Sequence, residues 1–229
     1  MTIFVLVHSP LVGPYSWSLT ADRLRGLGHT AIVPMLRDDA GKSGEPFWRQ
    51  HASSAGPALA PVAPERSLVL VGHSGAGQLL PAIAEANPHP VQAYLFVDSA
   101  LPGAGRLGPP EGDFARGLRG LFEEGRSWPE WTDDDLRDVV PGEESRRSLL
   151  AELQPRPAAF WEEEIPVPEH WPDAPCGYLL FTPAYAAEAD RARERGWPVR
   201  ALPGGHFHQL VDPDAVAETL AELAEAKTV

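Results

Sequence analysis

The sequence predicts an α/β fold, a mainly parallel sheet with helices on both faces, carried by one domain of 229 residues. Three observations predict it. Short apolar runs such as Leu68-Val69-Leu70-Val71 lack the alternation of a half-exposed strand and read as strands buried on both faces. These runs alternate with stretches of helical periodicity, the order that builds strand–helix–strand crossovers. The length suffices for one sizeable core, and no linker composition divides it.

Each element follows in order. Ile3 to Val7 is the first strand. Trp17, Ala21 and Leu24 recur at helical spacing, and Gly26 and Gly28 close that helix. Thr30 to Val33 is the second strand. Phe47 to Ala55 forms a weaker helix, broken by Gly56-Pro57, before the Leu68 to Val71 strand. Gln78 to Ala86 reads as a helix bent at Pro81, and Ala93 to Val97 as the next strand. The last strands are Tyr178 to Phe181 and Val199 to Leu202, separated by a helix around Tyr185 to Arg195. Asp212 caps the final helix with Pro213 at its first position, and Val216, Leu220 and Leu223 give it an apolar face.

The alternation stops near Pro102 and resumes near Gly177. The intervening block, about 103–175, contains Phe114, Leu118, Leu121 and Phe122 at helical spacing. Thr132 with Asp135 resembles a capping box, and Ser148 to Leu153 marks a third helix. An insertion at the C-terminal end of a strand sits over the ligand crevice, so this block is expected to be a cap. Of its tryptophans, Trp128, Trp131, Trp161 and Trp171, most serve as its own core. The acidic runs Asp133-Asp134-Asp135 and Glu162-Glu163-Glu164 read as solvated faces.

Composition excludes some function classes. A formal net charge of -13 argues against a general binder of nucleic acid or of anionic membranes. The single cysteine, Cys176, excludes an internal disulfide framework and suits a reducing compartment. Its setting beside an apolar run reads as a buried structural thiol. No basic region precedes Ile3 to Val7, which is too short for a signal or a span. The expectation is a cytoplasmic protein acting on a small-molecule substrate. No cofactor is called for, and no histidine and carboxylate cluster has metal-ligand spacing. The sequence does not set the oligomeric state.

The chemistry concentrates where the Leu68 strand ends, at Gly72-His73-Ser74-Gly75-Ala76-Gly77. A serine between small residues on a strand-to-helix turn is a nucleophile elbow, whose small neighbours permit the strained backbone. The helix that starts there aims free N–H groups at developing negative charge. A free hydroxyl is a poor nucleophile at neutral pH and needs a base. Pro203-Gly204-Gly205-His206-Phe207-His208 follows the last strand and so lies at the same sheet edge, which makes His206 the candidate base and His208 its local rival. His8, His73 and His170 have weaker claims to that role.

Three segments together resemble the α/β-hydrolase-fold superfamily over almost the whole chain. Val7-His8-Ser9-Pro10 resembles its first-strand turn, with Ser9 where glycine is usual. Gly72 to Gly77 resembles its elbow, with Ala76 at the fifth motif position, and Gly204-Gly205-His206-Phe207 resembles its histidine loop. The resemblance implies Ser74 as nucleophile, His206 as general base and acid, and the Gly75 N–H as one oxyanion donor. The family's second donor would come from Pro10, which has no N–H; Leu11 or a side chain would have to substitute. His73 and His208 are further candidates for oxyanion or substrate binding. Many members place the acid after the penultimate strand, where this chain has Thr182-Pro183-Ala184. Asp98, at the end of the Ala93 to Val97 strand, is the replacement, with loop capping as its alternative role. The function implied is serine-dependent acyl transfer, most simply ester or thioester hydrolysis of a small hydrophobic acyl group. An acyltransferase, or a ligand-binding protein, lyase or isomerase using the same pocket, is the alternative.

Overall fold

In the computed structural model, which describes residues 1–103 and 113–226, six parallel strands form one sheet. They are β1 (Ile3–Val7), β2 (Thr30–Ile32), β3 (Leu68–His73), β4 (Val91–Val97), β5 (Cys176–Leu180) and β6 (Val199–Ala201). Their order across the sheet is β2-β1-β3-β4-β5-β6. The chain therefore steps outward from β1 to β2 and then crosses back to β3 on the other side of β1. That reversal opens a crevice beyond the C-terminal ends of β1 and β3. Every strand expected from the apolar runs is present, with ends displaced by about two residues at most.

Both faces of the sheet are covered, which is why its strands read as apolar runs. Ile3, Val5, Val7, Leu68, Leu70, Tyr94, Phe96 and Tyr178 point to one face, where helices Phe47–Ser54, Leu80–Glu85 and Ala186–Glu194 pack. Phe4, Leu6, Val69, Val71, Leu95, Val97 and Leu179 point to the other, against Trp17, Ala21 and Leu24 of helix Tyr15–Gly26 and Val216, Leu220 and Leu223 of helix Pro213–Glu225. Each such buried aliphatic or aromatic side chain contributes roughly 1.5–3 kcal/mol. Phe4, Val5, Leu6 and Val7 are all fully buried, so no residue of β1 after Ile3 has a solvent side.

The turn after β3 differs from the expected single bent helix. Ser74–Leu79 winds as a 3₁₀ turn, and an α-helix starts afresh at Leu80 with Pro81 in its first turn. There the proline's missing N–H leaves no intrahelical bond unmade. The tight winding presses Gly72 against Gly77: a Cβ on Gly72 would lie 2.9 Å from the Gly77 backbone. A Cβ on Gly77 would lie 2.5 Å from the Ala100 carbonyl and would collide with Ser99 Oγ.

Between β4 and β5 the described residues contain helices Asp113–Glu123, Asp133–Leu136, Glu143–Ala151 and Ala158–Trp161. Positions 104–112, which the expected cap includes, lie outside the described residues. The Thr132–Asp135 capping box is formed. The third helix begins five residues earlier than Ser148 and stops at Ala151. Trp171 packs with Tyr94, Phe96 and Trp197 against the main sheet, whereas Trp128, Trp131 and Trp161 pack on one another within the insertion.

The acidic runs are more than solvated faces. Glu163 accepts hydrogen bonds from the Phe47 and Trp48 N–H groups at 2.7 and 3.0 Å, capping helix Phe47–Ser54 from across the chain. Asp133 pairs with the buried Arg146 at 2.7 Å. Both acids neutralise donors that would otherwise be left unpaired, and local charge density does not reveal such distant partners. No described helix is long and apolar enough to cross a membrane.

The crowding at the elbow gives a direct test of the close approach. Gly77→Ala should lower the denaturant midpoint by the equivalent of about 1–3 kcal/mol, the usual cost of overpacking. Gly26→Ala, which meets nothing within 4 Å inside helix Tyr15–Gly26, should leave the midpoint unchanged or raise it slightly. Equal midpoints for both variants would contradict the packing described.

Candidate active site

Strand register sets the site. His73 pairs with Val97 across β3 and β4, so the residues that follow them, Ser74 and Asp98, leave the sheet side by side. Both adopt left-handed backbone, with φ of 57° at Ser74 and 41° at Asp98. Each such non-glycine conformation costs on the order of 1–3 kcal/mol and persists only where the surroundings over-determine it. At Ser74 the surroundings are the 3₁₀ turn and the Gly72–Gly77 contact. At Asp98 they are a full set of hydrogen bonds.

The Asp98 carboxylate is wholly buried. Oδ1 accepts from the Phe181 N–H at 3.0 Å and the Thr182 N–H at 2.8 Å, and Oδ2 accepts from the Thr182 hydroxyl at 2.9 Å. Its remaining partner is His206 Nδ1, 2.7 Å from Oδ2. Burial alone would raise the Asp98 pKa. The His206 hydrogen bond and charge, with the Thr182 and Phe181 N–H groups, outweigh it and hold the carboxyl below its ordinary range. A carboxylate only accepts, so His206 Nδ1 carries the hydrogen, and in the neutral ring Nε2 is left as the acceptor. Ser74 is 8% exposed and the His206 side chain 27% exposed, so the site opens to solvent at the imidazole.

The histidine loop is held from below. His73 is fully buried, and its Nε2–H donates to the His206 carbonyl at 2.7 Å. Its ring meets Trp17 edge-on at 5.9 Å and lies 4.6 Å from the His206 ring. Burial, reinforced by the His206 charge, keeps the His73 pKa well below that of an exposed imidazole. His73 is thus a neutral strut for the loop. His208 turns the other way, edge-on to Phe181 at 5.4 Å and over Gly204, and makes no hydrogen bond to Ser74 or His206.

The turn after β1 faces the elbow. A Cβ on Gly75 would come within 3.8 Å of Pro10 Cδ and 3.9 Å of Ser9 Oγ. Pro10 brings no N–H to this contact, while the Leu11 N–H points at Ser9 Oγ over 3.4 Å. His8 fixes the turn: Nδ1 donates to the Ser9 carbonyl at 2.8 Å and Nε2 accepts the Leu36 N–H at 3.1 Å. Burial brings its pKa down to about 4. Arg156 of the insertion donates through Nε to the Pro10 carbonyl at 2.9 Å and pairs with the buried Asp38, which also binds His51 at 2.9 Å. Arg156 and Asp38 line a cavity of about 320 Å³ with Met35, Leu36, Arg37 and Gln154.

Asp98, His206 and His73 are thus linked by hydrogen bonds into one group, with Gly75 and Leu11 on the β1 side and His208 turned away, while no hydrogen bond joins Ser74 Oγ to His206. Sequence reasoning missed Tyr185, whose hydroxyl lies 3.4 Å from Ser74 Oγ and whose ring stacks on His206. It also missed the anchoring roles of Thr182, His8 and Arg156. The available signal for Tyr185 was its place in the loop after β5, immediately after the segment where an acid was sought and not found.

A parallel sheet covered on both faces, with a strained serine beyond one strand and a histidine–carboxylate pair beside it, defines the nucleophile-elbow class of α/β proteins. The chain belongs to the alpha/beta hydrolase family, whose model matches residues 4–219. It is 32% identical over 123 residues to Esterase PIR7B of Oryza sativa subsp. japonica, a match covering 49% of this chain and 44% of that protein. The chain thus spans less than half the length of this relative. An extracellular alpha/beta-hydrolase from a Paenibacillus species superposes with a TM-score of 0.78 at 20% identity, over 99% of this chain and 100% of that one. The pyrethroid hydrolase PytH superposes with a TM-score of 0.74 at 20% identity, over 99% and 98%. At these identities the two structures establish the shared fold.

The buried neutral histidines carry a pH signature. The folded pKa of His8, about 4, lies below the ordinary 6.5, so between these values the unfolded chain binds the extra proton. The stability this neutral ring confers is complete above pH 6.5 and is lost as pH falls toward 4, by about 1.4 kcal/mol per unit and about 3 kcal/mol in all. His73 acts in the same direction. Denaturant midpoints should fall steadily from pH 7 to pH 4.5; a flat profile would show that these rings are protonated in the fold.

Proposed function

We propose that this protein is a serine esterase that hydrolyses carboxylic esters of small hydrophobic acyl groups. In this reading Ser74 is the nucleophile, His206 the general base and acid, and Asp98 the group that holds His206 in the required tautomer. The 2.7 Å hydrogen bond from His206 Nδ1 to Asp98, beside the strained serine turn, carries the reading. The chemistry is as follows. His206 Nε2 takes the Ser74 hydroxyl proton as Oγ bonds to the ester carbonyl carbon. The carbonyl π pair moves onto its oxygen, facing the Gly75 N–H. Collapse of that tetrahedral species breaks the bond to the alcohol oxygen, which leaves with the proton from His206. Water then repeats the sequence on the acyl-enzyme.

The names of the relatives support ester chemistry: the rice protein is an esterase, and polyneuridine aldehyde esterase shares the fold with a TM-score of 0.70. The aromatic cluster of Trp128, Phe160 and Trp161 around Leu11 favours an apolar acyl group, with the 103–175 insertion as a cap. Thioesters are covered by the same mechanism, and an acceptor other than water would make the protein an acyltransferase. The buried Cys176, its thiol pushed up to about 12 by burial, is inert and consistent with a cytoplasmic protein.

Pro10 supports a second reading. Without its N–H the oxyanion site has one donor fewer, a loss typically worth roughly 100- to 1,000-fold in rate. A lyase or isomerase using His206 as a base on bound substrate, or a binding protein, would not need that donor.

Labelling with a fluorophosphonate separates the two. The parent protein should gain the probe's mass at one site and Ser74→Ala should gain none. Asp98→Asn should lower kcat for p-nitrophenyl acetate by about 10⁴-fold by disfavouring the required tautomer. A folded parent that never labels overturns the esterase reading. An Asp98→Asn variant within a few-fold of the parent removes Asp98 from the mechanism.

A further inference from the structure

We propose that Tyr185 is a fourth member of the catalytic group: its phenol donates a hydrogen bond to Ser74 Oγ, and its ring faces the His206 imidazole. The inference rests on the reading of Ser74 as the nucleophile. It goes beyond that reading because a serine, a histidine and an acid complete the reaction on their own.

Two contacts carry it. The Tyr185 hydroxyl lies 3.4 Å from Ser74 Oγ, the partner this serine oxygen has among the described side chains. The Tyr185 and His206 rings lie nearly parallel, 8° apart with centroids 5.4 Å from each other. One residue therefore touches both the atom that attacks and the ring that takes its proton. The first contact is long for an O–H···O bond, and catalytic hydrogen bonds in empty sites commonly tighten when substrate binds.

The position of the phenol is built in. Tyr185 closes a 3₁₀ turn, Pro183–Tyr185, that follows Thr182. Thr182 is tied to Asp98 through both its N–H and its hydroxyl. The carboxylate that orients His206 thus also anchors the turn that presents Tyr185.

Donor direction follows from the chemistry. If His206 Nε2 is to receive the Ser74 proton, that hydroxyl must donate to the imidazole, and Tyr185 must donate to a serine lone pair. The phenol must then stay protonated. The groups facing it are Asp98 at the end of β4, Glu188 of helix Ala186–Glu194, His206 and Ser74. Burial raises its pKa, the Asp98 and Glu188 charges add to this, and the Ser74 hydrogen bond opposes it. Tyr185 keeps its proton throughout and no bond to it forms or breaks. Its hydrogen bond strengthens when Oγ carries charge, as it attacks and again as it leaves the acyl-enzyme. A hydrogen bond to a charged atom is worth roughly a 10- to 100-fold change in rate. As the imidazole becomes cationic, the Tyr185 ring also offers it a π face.

The test uses the full chain with p-nitrophenyl acetate and the fluorophosphonate probe. Tyr185→Phe, which keeps the ring, should lower kcat and the labelling rate by about 10- to 100-fold with little change in KM. Replacing Tyr185 by 3,5-difluorotyrosine, nearly isosteric but a stronger acid, should move the alkaline limb of the rate profile to lower pH. A purely structural tyrosine would not do that, and this substitution still tests the idea if Tyr185→Phe fails to fold. A parent that labels at Ser74, with Tyr185→Phe matching its rates and an unmoved alkaline limb for the fluorinated protein, overturns the role of Tyr185 alone. A parent that does not label at Ser74 overturns both readings.

Discussion

The buried carboxylate of Asp98 is the constraint on which the rest of the site depends. A charge with no solvent contact survives only when its lone pairs are taken up, and Asp98 is met by three donors from Phe181 and Thr182 and one from His206. Those donors belong to two different loops, one after β5 and one after β6. The carboxylate therefore joins three strand ends. Its left-handed backbone is the local cost of turning the side chain across the sheet edge toward both loops. With an apolar residue at 98 the three backbone and hydroxyl donors would lose their acceptor, and the turn carrying Tyr185 would lose its anchor.

Neutral histidines brace the histidine loop a second time and hold the turn after β1. His73 holds the histidine loop through one carbonyl, and His8 holds the β1 turn through one donor and one acceptor. An imidazole can do this in a dry interior because its neutral form is both donor and acceptor, while its charged form would be expelled by burial. Arg156 extends the bracing to the insertion, since its guanidinium grips the Pro10 carbonyl and the Asp38 carboxylate together. The insertion and the turn after β1 are thereby one mechanical unit.

Much of this was legible in the sequence because it is local. The strands announce themselves by apolar runs, the elbow by Gly72 to Gly77, and the last helix by Asp212 and Pro213. His206 could be named because parallel topology alone brings the loops after β3 and β6 to one edge. Asp98 was legible as a carboxylate a strand end could hold against His206, and the role of loop cap also describes it, since it does bind the β5 turn. What could not be read involves partners far apart in sequence: Glu163 on the Phe47 helix, Arg156 on Pro10, and Tyr185 on Ser74. None of these residues belongs to a spacing pattern, and each acts through a contact that only the folded insertion or the β5 turn creates. The 3₁₀ winding at Ser74–Leu79 was hidden for another reason: Pro81 suggests a kink in any helix, but here it marks a beginning.

Pro10 and Tyr185 form a pair of opposites around one serine. On the β1 side the usual backbone donor is missing, because a proline occupies the position and its ring carbon packs against Gly75. On the β5 side the loop that lacks an acid offers a phenol, whose hydroxyl lies 3.4 Å from Ser74 Oγ. The two positions do not stabilise the same atom. In the proposed mechanism a donor at Pro10 would serve the carbonyl oxygen in the tetrahedral species, whereas the Tyr185 hydroxyl would serve Oγ before that species forms and as it collapses. On that reading the site would lower the barriers for making and releasing the nucleophile more than the energy of the intermediate between them. Such a balance favours substrates whose carbonyl is already electron-poor, since they need less help at the oxyanion. Activated esters and thioesters would then fit the proposed site better than amides, for the same reason that a weakly furnished oxyanion pocket limits any enzyme whose intermediate carries full charge.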